Sequence, residues 1–194
     1  MLDKDYWQNR YEQIQTGWDA GRITTPIKTY FDQVTNKDAK ILIPGCGNAH
    51  EATYLFENGF TQVYLCDWAR APLEQFAQQN PSFPKEQLIC ANFFELTLTN
   101  FDYIIEQTFF CAIDPMLRPL YAKKTAQLLK KDGRLIGLLF NEQLQLDRSG
   151  PPFGGNKAEY MTYFQEYFTY LYIENCYNSI KPRQGAELFV KLVK

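Results

Sequence analysis

The sequence predicts an α/β fold: a doubly wound, mostly parallel sheet of seven strands with a C-terminal antiparallel hairpin. Short apolar runs alternate with helical segments between residues 40 and 140, a pattern typical of βαβ units and a parallel sheet. Two further strands close the chain and are joined by a short turn that ends at Gly185, which predicts antiparallel pairing. The length of 194 residues and the hydrophobic fraction of 45% fit one domain over 1–194.

The N-terminal segment, residues 1–36, is predicted to form a helical lid. A first helix over 3–16 carries its apolar and aromatic residues at helical spacing, and Gly17 breaks it. A second, short helix begins near Pro26, because proline is favoured at the first helical position. Both helices precede the first strand and so lie outside the alternating pattern.

The alternating region supplies five strands and three helices. Gly59 and Pro81 end two of the helices, and Asp114 caps the third. The predicted strands span 40–44, 63–66, 87–90, 101–105 and 134–140, and the helices span 49–58, 70–79 and 114–130. The chain then continues through a loop over 142–156, a helix over 157–167 and strands over 169–178 and 186–193.

Composition argues against several classes of function. The net charge of −2 gives no general attraction to nucleic acid. No apolar run reaches the length of a membrane span, and the first five residues, MLDKD, lack the apolar core of a signal peptide. The five cysteines are odd in number and form no CxxC pair, which favours thiols in a reducing compartment over disulfides or zinc. We therefore expect a cytoplasmic protein without a metal site, acting as a monomer.

The first candidate site is the glycine turn that follows the first strand. In a doubly wound sheet, ligands bind beyond the carboxyl ends of the strands, where the strand order reverses. Gly45 and Gly47 lie at that point and let the backbone approach a ligand closely. Asp67 ends the next strand about twenty residues later, where a carboxylate accepts hydrogen bonds from ribose hydroxyls. A tight turn without a ligand, and a helix N-cap at Asp67, are the alternative interpretations.

Three more candidates follow the third and fourth strands. Asn92 can donate to an adenine ring nitrogen and accept from its amino group, and Phe93 can pack on the base. Gln107 ends the fourth strand just before Phe109 and Phe110, and it is predicted to be one of the cofactor-binding residues. For Asn92 and Phe93, a turn residue followed by core aromatics is the alternative interpretation, and for Phe109 and Phe110 it is core packing.

The favoured ligand is a nucleoside without a pyrophosphate. His50 occupies the position at which the G-x-G-x-x-G fingerprint has its third glycine, so the compact phosphate-binding turn is not formed. S-adenosylmethionine carries adenosine and no phosphate, which predicts an S-adenosylmethionine-dependent methyltransferase acting on a small-molecule acceptor. A nicotinamide-dependent oxidoreductase and a non-catalytic cofactor-binding domain are the alternatives.

Three rings near the N-terminus suit the positive sulfur of this cofactor. Trp7 and Tyr11 are four residues apart on one helix face, and Trp18 follows after a break. A sulfonium is stabilised over an aromatic face, and a lid of rings that closes on the cofactor excludes water. The alternative is a set of rings that only fastens the N-terminal helix to the domain.

Four stretches carry a family resemblance. They are the rings at 7, 11 and 18 with Asp19–Arg22, the turn Ile43–Gly47, the segment Thr108–Pro115 and the segment Gly150–Phe153. With these, the chain resembles the thiopurine methyltransferase superfamily of class I methyltransferases, and within it the plant and microbial thiol/halide methyltransferases. The resemblance runs over nearly the whole chain and implies cofactor contacts from the three rings, Gly45, Asp67 and residues 92–93.

Four residues depart from the pattern of that family. Tyr11 and Asn92 replace a tryptophan and an aspartate that the resemblance leads us to expect. Gln107 and Phe140 fall where the thiol/halide group tends to have tyrosines, the latter near the acceptor. The cofactor assignment is unaffected, whereas the acceptor is left open.

The chain offers few candidates for a general base. His50 is the only histidine and follows the glycine turn, away from the acceptor, and Glu142, Asp147 and Arg118 are the other residues at this end of the sheet. This scarcity favours methyl transfer to a small soft nucleophile, such as a thiol, bisulfide, a halide or a thiopurine-like compound, because these acceptors ionise readily or are already anions. No catalytic residue is assigned from the sequence.

Overall fold

The computed structural model describes residues 2–144 and 150–194, so Asp147 lies outside the described residues. The seven strands are β1 (Ile41–Pro44), β2 (Val63–Asp67), β3 (Leu88–Cys90), β4 (Phe101–Gln107), β5 (Leu129–Phe140), β6 (Tyr170–Asn175) and β7 (Glu187–Val193). The helices are α1 (Lys4–Glu12), α2 (Thr25–Phe31), α3 (His50–Glu57), α4 (Arg70–Gln79), α5 (Arg118–Leu128) and α6 (Lys157–Phe164).

The strands form one sheet in the order β3-β2-β1-β4-β5-β7-β6. Strands β1 to β5 run parallel, and β7 lies between β5 and β6 and is antiparallel to both. The chain therefore builds outward from β1 to β3 and then crosses to β4, so the strand order reverses between β1 and β4. This topology confirms the predicted doubly wound sheet and its C-terminal antiparallel hairpin.

Helices cover both faces of the sheet, which explains why β1 is buried along its whole length. Successive strand residues point to opposite faces, so Ile41 and Ile43 pack with α2, α3 and α4, whereas Leu42 packs with α5 and α6. Within residues 2–144 and 150–194, we find no helix with both the length and the apolar character needed to cross a bilayer.

The first helix is shorter than its sequence pattern predicts. It ends at Glu12 rather than at residue 16, because the backbone of Ile14 turns into the left-handed region at a φ of 56°. The Ile14 side chain is 85% exposed. Its helical spacing in the sequence therefore did not reflect burial, and the prediction of a helix over 3–16 was wrong at its C-terminal end.

The boundary between α5 and β5 also differs from the prediction. Asp114 does not start the helix; its carboxylate accepts a hydrogen bond from the Met116 amide at 2.9 Å and caps a separate 3₁₀ turn over Pro115–Leu117. The α-helix starts at Arg118, and β5 already begins at Leu129. The C-terminal helix and hairpin strands end within three residues of their predicted limits.

A buried carboxylate organises the turn that follows β4. Glu106 is fully buried, and one of its oxygens accepts hydrogen bonds from the amides of Phe109 and Phe110, each at 2.8 Å. Its other oxygen accepts from the Tyr121 hydroxyl of α5 at 2.6 Å. Burial raises the pKa of Glu106 to about 7, although these donors act to lower it. The side chain thus ties the turn to α5.

The N-terminal helix is fastened to the start of α4 through one carboxamide. Gln8 accepts hydrogen bonds at its Oε1 from the amides of Arg70 and Ala71, at 2.8 and 3.2 Å. The residue that precedes α4, Ala69, has no side chain able to cap these amides. Gln8 therefore supplies from α1 the cap that α4 lacks in its own sequence.

We expect Gln8→Ala to lower the free energy of unfolding by about 1 kcal/mol, because it removes a helix cap. Urea denaturation followed by circular dichroism measures the change. Asn9→Ala, at an exposed position of the same helix, is the matched control and should leave stability nearly unchanged. Equal stabilities of wild type and Gln8→Ala would contradict the capping role.

We expect Glu106→Ala to lower the free energy of unfolding by about 3 kcal/mol, because it leaves two amides and the Tyr121 hydroxyl buried without their acceptor. Glu106→Gln keeps the size of the side chain and an acceptor oxygen, so its free energy of unfolding should fall clearly less. The same urea titration compares both variants. A loss in Glu106→Ala no greater than in Glu106→Gln would show that the carboxylate does not organise this turn.

Candidate active site

The glycine turn after β1 adopts a backbone that requires its glycines. Gly45 and Gly47 have φ values of +55° and +51°, in the region that residues with a Cβ rarely adopt. A Cβ on Gly45 would lie 2.3 Å from Cδ2 of Phe109, and one on Gly47 would lie 2.6 Å from the hydroxyl oxygen of Tyr11. Conformation and space therefore both favour glycine at these two positions.

Asp67 closes the turn from the end of β2, the strand next to β1. Its Oδ2 accepts a hydrogen bond from the Gly47 amide at 3.0 Å, and its Oδ1 accepts from the Ala69 amide at 2.9 Å. The residue is only 6% exposed. Burial raises the pKa of Asp67 to about 6, against the lowering effect of these backbone donors. The carboxylate is thus held in place beside the glycine turn.

The three N-terminal rings form one cluster over the turn. The ring of Trp18 lies 5.7 Å from that of Trp7 and 5.9 Å from that of Tyr11, both edge to face. Tyr11 and Trp18 line a cavity above the glycine turn, whereas Trp7 supports Trp18 from behind. Burial, with the nearby Asp67 carboxylate, raises the pKa of the Tyr11 phenol far above its ordinary value, so the phenol keeps its proton.

Polar contacts fasten the segment after α1 to the turn and to the C-terminal hairpin. Asp19 accepts hydrogen bonds from the Asn48 carboxamide and interacts with Nε2 of His50 at 2.7 Å. Arg183, from the turn that precedes β7, donates to the Trp18 carbonyl and pairs with Glu187 at 3.4 Å. The N-terminal segment is thus held by contacts from the glycine turn and from the C-terminal hairpin.

Gln107 lies at the end of β4, where the strand order reverses. Its Oε1 accepts a hydrogen bond from the Thr24 hydroxyl at 2.9 Å. Its Nε2 is buried and has no hydrogen-bond partner among the described residues. A buried N–H group without an acceptor is costly, so this amide suits a ligand atom that accepts a hydrogen bond.

These groups surround a small cavity of about 40 Å³ between the N-terminal segment, the glycine turn and the end of β4. This volume is far below the roughly 300–1,000 Å³ typical of a small-molecule pocket. Among the described residues, no cluster of histidine, cysteine and carboxylate side chains could hold a metal ion.

Five of the nine predicted site residues line this cavity: Tyr11, Trp18, Gly45, Gly47 and Gln107. Trp7 and Asp67 do not line it but contact Trp18 and Gly47, which do. Asn92 and Phe93 do not line the cavity. The Asn92 side chain caps a 3₁₀ turn by accepting from the Phe94 amide at 3.1 Å, and the Phe93 ring is 3% exposed and packs on Phe109 and Tyr121. The ring of Phe93 is a core residue in this structure, and its contact with a base stays a prediction.

Two of the residues considered as a base have structural contacts instead. Arg118 is 1% exposed, and its guanidinium donates to the carbonyls of Phe153 and Gly154 at 2.7 and 3.1 Å. Glu142 accepts from the Asn156 carboxamide at 2.7 Å on the surface. Neither residue lines the cavity.

Sequence reasoning missed several residues of the cavity wall, among them Thr24, Arg183 and Glu51. Arg183 is 8% exposed and comes from a hairpin turn that carries no ligand-binding pattern. Glu51 is 6% exposed on the first turn of α3, and burial raises the pKa of its carboxyl. Glu51 could have been suspected because it follows the glycine turn closely in the sequence. No feature of the sequence near Arg183 indicated that this residue reaches the cavity.

Comparison with known proteins identifies the family. The model of the thiopurine S-methyltransferase family matches residues 2–191. Thiocyanate methyltransferase 1 of Brassica oleracea is 32% identical over 194 residues, which cover 96% of this chain and 83% of the relative. A thiopurine S-methyltransferase of Vibrio cholerae is 24% identical over 180 residues, which cover 84% of this chain and 82% of the relative.

A solved structure shares the fold over almost the whole chain. It is the Burkholderia thailandensis 1,6-didemethyltoxoflavin-N1-methyltransferase with bound 1,6-didemethyltoxoflavin and S-adenosylhomocysteine, with a TM-score of 0.73 at 16% identity. The match covers 98% of this chain and 85% of that one. Since the family model spans nearly the whole sequence, the chain belongs to the thiopurine S-methyltransferase family and is an S-adenosylmethionine-dependent methyltransferase.

Proposed function

We propose that the enzyme methylates a small soft nucleophile, such as a thiol, bisulfide, a halide or a thiopurine-like compound. The observation that carries the proposal is the unpartnered Nε2 of Gln107 in a cavity that Arg183 also lines. Arg183 is paired with Glu187, so the Gln107 amide is the donor left for the acceptor, and such a donor favours an acceptor that is an anion or ionises to one. The names of the relatives, thiocyanate and thiopurine methyltransferases, point to acceptors of the same chemistry.

The cofactor site in this proposal is the glycine turn with the groups around it. Asp67 accepts from the ribose hydroxyls, because a carboxylate has about four lone-pair sites and the Gly47 and Ala69 amides occupy two of them. The hydrogen bond that Asp67 accepts from the Ala69 amide resembles a helix N-cap and is compatible with this role. Gly45 and Gly47 let the backbone approach the cofactor. Contacts of Asn92 and Phe93 with the adenine remain predictions.

Residues 1–36 act as the lid of this site in the proposal. Trp7, Tyr11 and Trp18 are its aromatic inner face, and the Tyr11 hydroxyl touches the glycine turn. Polar contacts of Gln8, Asp19, Thr24 and the Trp18 carbonyl hold the part of the segment before α2. Helix α2 itself is packed in the core, so the movement concerns the residues before it. Opening admits the cofactor, and closing places rings against its positive sulfur and excludes water.

When bound, S-adenosylmethionine would supply a methyl group on a positively charged sulfur and would leave as a neutral thioether. Gly45, Gly47 and Asp67 would hold its nucleoside, and the N-terminal rings would face its sulfur. The protein's task is to hold the acceptor in line and to exclude water. A thiol ionises near neutral pH and a halide is already an anion, so no general base is required.

We also propose a cytoplasmic location. The support comes from the thiols: all five cysteines are unpaired, and four of them are buried. Buried thiols persist unoxidised in a reducing compartment.

We expect the affinity for S-adenosylhomocysteine to fall about tenfold for each pH unit below 6, because the raised pKa of Asp67, about 6, means that its acceptor carboxylate is protonated there. Above pH 7 the affinity should be constant. Calorimetric titration between pH 5 and 8 measures this dependence. At pH 7.5, Asp67→Ala should weaken binding by about 1–3 kcal/mol.

Two variants separate Asp67 from other titrating groups. Asp67→Asn should bind weakly but with little dependence on pH. Imidazoles also change charge in this range, so His50→Gln serves as the control and should keep the pH dependence of the wild type. If the dependence vanished in His50→Gln and persisted in Asp67→Asn, the assignment to Asp67 would be wrong.

We expect cofactor-dependent methylation of bisulfide, thiols, iodide or thiopurines in an acceptor panel, and none of matched alcohols and amines. Gln107→Leu, which removes the amide donor, should lower kcat/KM for the preferred acceptor by about tenfold or more, with little change in affinity for S-adenosylhomocysteine. Turnover only with an alcohol or an amine would overturn the proposed acceptor class. Tight cofactor binding without turnover on any acceptor would instead favour a non-catalytic domain.

A further inference from the structure

A second cavity lies at the opposite end of the sheet from the glycine turn. It has a volume of about 320 Å³ and is walled by the end of α2 and the following residues, over the sheet face of β4, β5 and β7. Its lining includes Tyr30, Gln33, Asn36, Tyr103, Arg134 and Lys191. Arg134 lies six residues before the carboxyl end of β5, which is about 20 Å at the usual rise per strand residue. The cavity is therefore well separated from the edge of the sheet that carries the glycine turn.

Two cations form the floor of this groove. Arg134 lies opposite Val193 in the antiparallel pair of β5 and β7, and Lys191 lies opposite Ile136. The two cations are therefore diagonal neighbours on one face of the sheet, about 7–8 Å apart at Cα. Neither forms an ion pair with any residue in the described ranges. No carboxylate is among the residues that line the groove.

Aromatic rings and carboxamides complete the groove. Tyr103 pairs with Arg134 across β4 and β5, and the Tyr30 hydroxyl accepts a hydrogen bond from Arg134 at 3.4 Å. The rings of Tyr30 and Tyr103 are 6.3 Å apart. Gln33 and Asn36 at the rim are exposed and offer donors and acceptors to a polar ligand.

We propose that this groove binds a small aromatic phosphate of about the size of a nucleoside monophosphate. Two partly buried cations that lack counter-charges favour a doubly charged anion, and charge-assisted hydrogen bonds to such an anion are strong. The neighbouring tyrosine rings provide a surface on which a flat base packs. The volume lies at the lower end of the range of small-molecule pockets, which suits a monophosphate.

The test is calorimetric titration of the protein saturated with S-adenosylhomocysteine, so that the adenosine site is filled. Adenosine monophosphate should bind. Adenosine, which lacks the phosphate, and inorganic phosphate, which lacks the aromatic base, should each bind at least about tenfold more weakly. Lys191→Gln and Arg134→Gln should each weaken the binding of adenosine monophosphate by about tenfold or more. Lys191→Arg, which keeps the positive charge, should retain the binding.

The controls distinguish loss of the groove from loss of the fold. Lys123→Gln, at an exposed position of α5, should bind adenosine monophosphate like the wild type, and Lys191→Gln should keep the wild-type affinity for S-adenosylhomocysteine. Arg134 contacts Tyr30, so Lys191→Gln carries the test if Arg134→Gln is unstable. No binding of adenosine monophosphate to the wild type at millimolar concentration, or equal binding to Lys191→Gln, would overturn the proposal.

Discussion

The hydrogen bond from the Gly47 amide to the Asp67 carboxylate joins the ends of β1 and β2, and the rest of the site is built around it. It fixes a turn whose φ values favour glycine against an acid that is nearly inaccessible to water. The Tyr11 hydroxyl then packs on that turn, and through Tyr11 the ring cluster of the N-terminal segment takes its position. One contact between neighbouring strands thus orders residues from three separate parts of the chain.

Keeping this carboxylate buried costs free energy that the fold alone does not recover. Burial moves the pKa of Asp67 from 3.8 to about 6, a penalty of about 3 kcal/mol on the charged form. This net penalty already includes the lowering effect of the Gly47 and Ala69 amides. Two ribose hydroxyls would each add a hydrogen bond to a charged group, worth about 1.5–3 kcal/mol. The sum is comparable to the penalty, which supports the proposal that Asp67 holds the ribose.

The sequence was informative where a signal is local. Alternating apolar runs predict the parallel sheet, and the residues at strand ends, Gly45, Gly47 and Asp67, could be placed because a doubly wound sheet gathers such ends at one edge. Ile14 and Phe93 show the limit of this reasoning. An apolar residue at helical spacing can still be exposed, and a ring after a strand can enter the core as readily as a ligand site.

Contacts between distant parts of the chain could not be predicted in the same way. Arg183 and Trp18 are 165 residues apart, and Thr24 and Gln107 are 83 apart; polar pairs of this kind leave no periodic pattern in the sequence. They also link two roles of the N-terminal segment. The segment that supplies Trp18 to the ring cluster also supplies Thr24, whose hydroxyl occupies the oxygen of the Gln107 carboxamide. The N-terminal segment therefore contributes both to the ring cluster and to the orientation of the Gln107 N–H groups.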